Sequence, residues 1–236
     1  METTVSFKLL SLYLLLLAVG INGDEDWGDY YDTEEYESER KPKGKVLDPC
    51  KSNGHVCTSL MQYADGQVFN EGPYCTCKGC TTEWKKGDSN TMTWTYHEQV
   101  DKTVQYHFCI PIMPERVCSS EEIAITMVTE VSGWNVHMRE ARCKCEDDVF
   151  KLDGWWRKNN LWFYEYVCHK NKCSSDALCA KIYVDEEDKM TLGYEFMCTC
   201  PLDQKCPTDR NEEKRSRKDK KGKYIPKFCE PIFRRK

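Results

Sequence analysis

Three cysteines fall within nine residues at Cys198, Cys200 and Cys206. Thiols at that density can grip a soft metal, cycle between dithiol and disulfide, or cross-link the chain. The choice depends on the other residues and on the compartment. The chain holds sixteen cysteines, an even number: Cys50, Cys57, Cys75, Cys77, Cys80, Cys109, Cys118, Cys143, Cys145, Cys168, Cys173, Cys179, Cys198, Cys200, Cys206 and Cys229. The five histidines (His55, His97, His107, His137 and His169) stand at no zinc-ligand spacing. Cys77-Lys-Gly-Cys80 lacks the βαβ surroundings of a redox motif.

The first residues, METTVSFKLLSLYLLLLAVGING, speak to the compartment. Lys8 precedes an apolar run from Leu9 to Val19, and Ala18, Gly20 and Gly23 offer cleavage sites. This is the shape of a signal peptide over residues 1–23, and the run is short for a membrane span. A secreted chain with sixteen cysteines predicts a disulfide scaffold with every thiol oxidised.

Other chemistry lacks its residues. The sequence carries no G-x-S-x-G, no H-E-x-x-H and no glycine-rich phosphate loop. Acidic pairs such as Glu186/Glu187 and Asp147/Asp148 sit in turn-like stretches, where solvated charge explains them. The expectation is a protein that is not an enzyme, with no cofactor, no metal and no catalytic residues.

The cysteines repeat. Each of three units opens with a cysteine and two small hydroxyl residues at Cys57, Cys118 or Cys173, continues to a C-x-C pair and closes at Cys109, Cys168 or Cys229 after an aromatic-rich run. The units span residues 41–112, 113–168 and 169–236. With Cys57 as the first opener, Cys50, Cys80, Cys179 and Cys206 remain, so the outer units carry six cysteines against four in the middle. The fold class is small, disulfide-rich and mainly β, with three tandem cysteine-rich β-hairpin units. AKIYVDEEDKMTLGYEFMC reads as two strands about a DEED turn, and Ala64-Asp-Gly-Gln67 offers a turn in unit one. In unit two, ITMVTEVSGWNVHM is β-branched about Ser132-Gly133, and SSEE suggests a capped helix over Ser119 to Thr126. Two sulfurs of one C-x-C lie on one strand face and are poorly placed to bond each other. Bridges should therefore stay within units, with Cys118–Cys145 and Cys143–Cys168 expected in the second.

Charge is divided unevenly. Residues 24–40, DEDWGDYYDTEEYESER, hold nine acids and one base and cannot bury enough to order themselves. They read as an acidic propeptide ending at Arg40, as a tail with sulfated tyrosines (Tyr30, Tyr31, Tyr36), or as a solvated tail. Their removal would turn the net charge from −5 to +3. The opposite sign gathers at residues 214–223, where Lys214, Arg215, Arg217, Lys218, Lys220, Lys221 and Lys223 face one acid, Asp219. So crowded a stretch should stay extended and solvated, and its field could draw an anionic partner. The second candidate surface is the aromatic run with Trp155, Trp156 and Trp162, residue types that concentrate binding energy at interfaces. Adjacent residues of a strand face opposite sides, so one of Trp155 and Trp156 should point outward.

Leader, acidic segment and repeated C-x-C units together resemble the large cysteine-rich toxins of arthropod venoms, and most closely the eleventh scoloptoxin family of centipedes. The resemblance covers the architecture of Cys50 to Cys229. It implies a secreted toxin that impairs ion channels or haemostasis by binding a host membrane or extracellular protein, as a monomer, with no nucleic acid and no membrane span. The alternative is a non-toxic secreted inhibitor, salivary or from haemolymph, of a protease, chemokine or growth factor.

Overall fold

The computed structural model describes residues 47–95, 102–119, 122–131, 135–174, 176–187, 189–210 and 216–232. The expected leader, the acidic segment, the Ser132-Gly133 turn, Lys214 and Arg215 lie outside them. All regular structure among the described residues is β. The first unit holds β1 (Val56–Tyr63), β2 (Val68–Asn70), β3 (Thr91–Thr95) and β4 (Lys102–Phe108). The second holds β5 (Ile123–Glu130), β6 (His137–Ala141), β7 (Val149–Lys158) and β8 (Leu161–Val167). The third holds β9 (Leu178–Val184), β10 (Thr191–Phe196), β11 (Gln204–Lys205), β12 (Arg217–Asp219), β13 (Gly222–Phe228) and β14 (Glu230–Pro231).

One pairing scheme recurs. The first strand of each unit pairs with the second on one side and the last long strand on the other, and that last strand carries a further partner outside it. The pairs are β1 with β2 and β4, β4 with β3; β5 with β6 and β8, β8 with β7; and β9 with β10 and β13, β13 with β12. The strands are not three separate hairpin modules, however. Twelve of them form one sheet, and only β11 and β14 pair apart. The join is β7. Its one edge is taken by β8, while the other takes β3 in parallel at Val149–Lys151 and β10 antiparallel at Gly154–Trp156. Sharing a sheet satisfies edge strands that isolated modules of this size would leave open, and it joins the buried faces. Phe108, Phe150, Tyr166, Tyr194, Phe196 and Ile182 belong to one core that spans all three units.

Local expectations fare unevenly. The DEED hairpin forms as β9 and β10, and the Asp65-Gly66 turn joins β1 to β2, with Gly66 at φ 84°. The helix over Ser119 to Thr126 does not form: Ile123 onward is strand. The Ser119 backbone N–H does donate to the Glu122 carboxylate, one half of a capping box, but the Ser119 hydroxyl donates to that carboxylate too instead of accepting from the Glu122 N–H. The β-branched residues Ile123, Ile125, Thr126, Val128 and Thr129, on a strand paired on both sides, then decide the backbone.

All sixteen cysteines are bridged, and every bridge stays within its unit. The pairing inside unit two is the reverse of that expected: Cys118 joins Cys143, and Cys145 joins Cys168. A short parallel bridge lies beside the first of these disulfides: Val117 pairs with Lys144, the middle residue of the C-x-C. The same bridge recurs as Pro49 with Thr76 and Lys172 with Thr199. Accordingly Cys50–Cys75, Cys118–Cys143 and Cys173–Cys198 all have a separation of 25 residues. The opener of the first unit is therefore Cys50 and not Cys57, which bonds Cys80.

Candidate functional site

The two adjacent tryptophans part company on β7. Trp155 faces the core, stacked on Tyr194 with ring centroids 4.5 Å apart and near Tyr164 and Phe196. Trp162 lies opposite Arg157 on β8, 5.9 Å below its guanidinium, on the side of the sheet that Trp155 takes. Trp156 lies on the outer face, half-buried. Its ring crosses Gly193, where a Cβ would come within 2.4 Å of it, and meets Tyr183 at 5.1 Å. Gly193 is thus the gap that lets an outward tryptophan lie flat along β10 and β9. The three tryptophans do not form one patch.

The basic stretch reaches the same outer face. It is not a solvated loop: Arg217–Asp219 and Gly222–Phe228 form a hairpin laid against β9. Lys221 at its turn sits 4.7 Å over the Trp156 ring and pairs with Glu195 Oε1 at 2.7 Å. Asp219 accepts from Lys181 Nζ at 2.7 Å. Between the two carboxylates, the Tyr183 hydroxyl lies 3.0 Å from Glu195 Oε2 and 3.0 Å from Asp219 Oδ2. One phenol has one proton to donate, so two lysines are needed to hold both carboxylates ionised beside it. Burial first, then these two carboxylates, pushes the Tyr183 phenol well above its ordinary range. The hydrogen bond from Lys181, ahead of those from the Lys221 N–H and Tyr183, holds Asp219 down at about 2.

Beside this network runs an open cleft of about 260 Å³, lined by Lys181, Tyr183, Glu195, Met197, Asp219, Lys220 and Lys221. A second hollow of about 230 Å³ shares Glu195 and Met197 and continues past Phe196 to His169, Asp153 and Lys170. Lys170 donates to Phe196 O and to Asp153. A groove thus follows the outer side of β10, walled by paired charges with Met197 exposed in its floor. Such a groove offers hydrogen-bond donors and acceptors of both signs and one aromatic face. Tyr183 is held protonated, and Lys181 and Asp219 charged, by their surroundings, which suits binding.

The remaining lysines of the stretch are partly neutralised. Lys218 pairs with Glu186 at 2.8 Å, and Lys223 Nζ donates to the Glu186 carbonyl. Lys220 and Arg217 stay exposed. The sequence named the bases and Trp156 but gave no sign of Tyr183, Lys181, Glu195 or Asp219 as their partners, because these meet only once β9, β10 and β12 lie side by side. Four groups of three cysteines place their sulfurs within 4.8 Å of one another. Each of those sulfurs is in a disulfide and has no thiolate to offer. Among the described residues no helix is long and apolar enough to cross a membrane.

These features define a mainly β, cysteine-rich protein whose described residues carry eight disulfide bridges. The chain is similar to U-scoloptoxin(11)-Sm5a of Scolopendra morsitans, with 25% identity over 197 residues, 76% of this chain and 82% of that protein. No family model matches. Among solved structures it is similar to unliganded Argos, at 18% identity and a TM-score of 0.38 over 79% of this chain and 92% of that one.

Proposed function

We propose that this chain is a secreted toxin of the venom type that acts by binding a host protein, without catalysis, an ion channel being the first target to test. The observation that carries this reading is the likeness to a centipede scoloptoxin over three quarters of the chain. The cross-linked frame supports it. Eight bridges with separations of 23 to 32 residues, at about 2–4 kcal/mol each, hold a surface rigid for docking. The leader expected at residues 1–23 and the disulfides both suit an oxidising, extracellular setting. The test is whole-cell recording from arthropod and vertebrate neurons with the oxidised, refolded protein: block or shifted gating of a sodium, potassium or calcium current at submicromolar dose supports it, and unaltered currents in every class reject the channel as target.

A second reading, a secreted trap for a soluble protease, chemokine or growth factor, is favoured by one observation. Lys218 and Lys221 are paired with the carboxylates of Glu186 and Glu195, which leaves less positive field for an anionic channel mouth than unpaired bases would. Interferometry of the immobilised protein against purified ligands of those three kinds separates the readings.

A further inference from the structure

Two histidines that the sequence keeps 82 positions apart meet where the first unit touches the second. His55, just before β1, and His137, the first residue of β6, form an isolated antiparallel bridge. The flanking backbone fixes its kind: Val56 N–H donates to Val136 O at 3.0 Å and Met138 N–H to Gly54 O at 2.7 Å. The hydrogen bonds thus run outside the histidine pair. That is the narrow, non-hydrogen-bonded pairing of an antiparallel ladder, in which facing side chains leave the same side and stand closest. Gly54 makes the approach feasible, since a Cβ there would come within 2.8 Å of Met138 O. The ring centroids stand 5.5 Å apart.

We infer that His55 and His137 form a two-imidazole site for a borderline divalent ion, Zn²⁺ or Cu²⁺, at the junction of the first and second units. A metal sits about 2.0–2.1 Å from an imidazole nitrogen, and a ring nitrogen lies about 1.1 Å from its centroid. Rings at this separation can therefore share one ion at an angle near 120°, between trigonal and tetrahedral. The nitrogen assignment follows from Ser52. His55 Nδ1 lies 2.8 Å from Ser52 Oγ, so that nitrogen is engaged and Nε2 is left as the ligand, the outer contact that orients metal-binding imidazoles. Both rings are half-buried, open enough for water to complete the coordination. A bound ion would tie β1 to β6 by side chains where a single bridge now joins them.

The experiment titrates the oxidised full-length protein with Cu²⁺ and, separately, Zn²⁺ at neutral pH, in native form and as His55→Gln, His137→Gln and the double variant. One equivalent is expected, with Cu²⁺ showing nitrogen coupling from two imidazoles in its paramagnetic resonance spectrum. Each single substitution should weaken binding tenfold or more, and Ser52→Ala less. A second readout needs no variant: Zn²⁺ should protect His55 and His137, and not His169, from acylation by diethyl pyrocarbonate, as mapped by peptide mass. Absence of binding, binding unchanged in the double variant, or no selective protection overturns the assignment.

Discussion

Cys57 and Cys179 occupy the same place in their units: each is the second residue of its first strand, at a bulge where the register slips by one. Each sends its sulfur to a cysteine just beyond the C-x-C pair, Cys80 or Cys206. The middle unit has the bulge without the bridge, and Ala124 stands there, fully buried. A bulge aims one extra side chain out of the alternation. The third bridge of the outer units is therefore an addition to a backbone that forms without it.

Replacing both Cys179 and Cys206 by Ala should leave a folded protein that is less stable by about 3.5 kcal/mol, the chain-entropy value for a loop of this length. Guanidinium unfolding checks this, and the remaining seven bridges should map unchanged. Scrambled pairing in the variant would show that the third bridge directs the others.

Much of this frame was legible locally. The strands about DEED, the turn at Asp65-Gly66 and the confinement of bridges to units follow from alternation, turn residues and short separations. Two things were not. The order within a unit turns on which of two cysteines two residues apart reaches Cys118, and both choices give similar separations, so spacing leaves Cys143 and Cys145 interchangeable. The merging of units rests on β7 receiving β3 and β10 along one edge, and pairings so distant have no period to announce them. The candidate site suffered alike. Trp156 and Lys221 were named separately, while Gly193, which lets the tryptophan ring lie across to Tyr183, looked like any strand glycine.

His107 on β4 is 1% exposed, and neither ring nitrogen has a hydrogen-bond partner. Burial, only partly offset by Asp88 and reinforced by Lys85, lowers its pKa from 6.5 to about 4. Between those values the unfolded chain takes up a proton that the folded one refuses. Stability should therefore fall as pH drops from about 6.5 to 4, by an amount on the order of 2–3 kcal/mol. His107→Leu removes no hydrogen bond and should flatten that slope without loss at pH 7. Unfolding midpoints at pH 7, 5.5 and 4.5 decide the matter.

A second acid transition belongs to Asp219. Held at about 2 by Lys181 first of all, it lends stability above its unfolded pKa near 3.8, and that share disappears as pH falls toward 2. Asp219→Asn should abolish this dependence and loosen the hairpin of β12 and β13. Amide exchange at Lys221 and Gly222 is the readout, and exchange no faster than in the native protein would count against it.

Trp155 and Trp156 should separate stability from binding. Trp155→Ala opens the stack on Tyr194 and should cost about 3 kcal/mol or more. Trp156→Ala removes a ring shared with Lys221 and Tyr183 on the outer face and should cost about 1 kcal/mol, while speeding dissociation from a target that uses the groove along β10. Chemical denaturation gives the first comparison directly. Equal losses from the two variants would mean that the outer ring is as deeply committed to the fold as the inner one.

The hairpin at residues 217–223 permits a test of its charges one at a time. Lys218 and Lys221 each face a carboxylate at 2.7–2.8 Å, whereas Lys220 makes no ion pair among the described residues and lies exposed in the turn beside the cleft. Exposed pairs contribute about 0–1 kcal/mol to stability, so Lys218→Gln and Lys220→Gln should unfold like the native protein. An anionic partner feels the local net charge, because at physiological salt a charge acts over about 8 Å. Each substitution lowers that charge by one, since Lys218→Gln and Lys221→Gln leave Glu186 and Glu195 without their ammonium partners. On a heparin column all three variants should therefore elute at lower salt than the native protein. A direct contact from an ammonium to the partner adds to this, and Lys220, which no carboxylate among the described residues holds, can make one without breaking an ion pair, so Lys220→Gln should shift furthest. Equal shifts for all three would mean that the partner reads only the net charge. No shift for Lys220→Gln would remove the hairpin from electrostatic capture altogether.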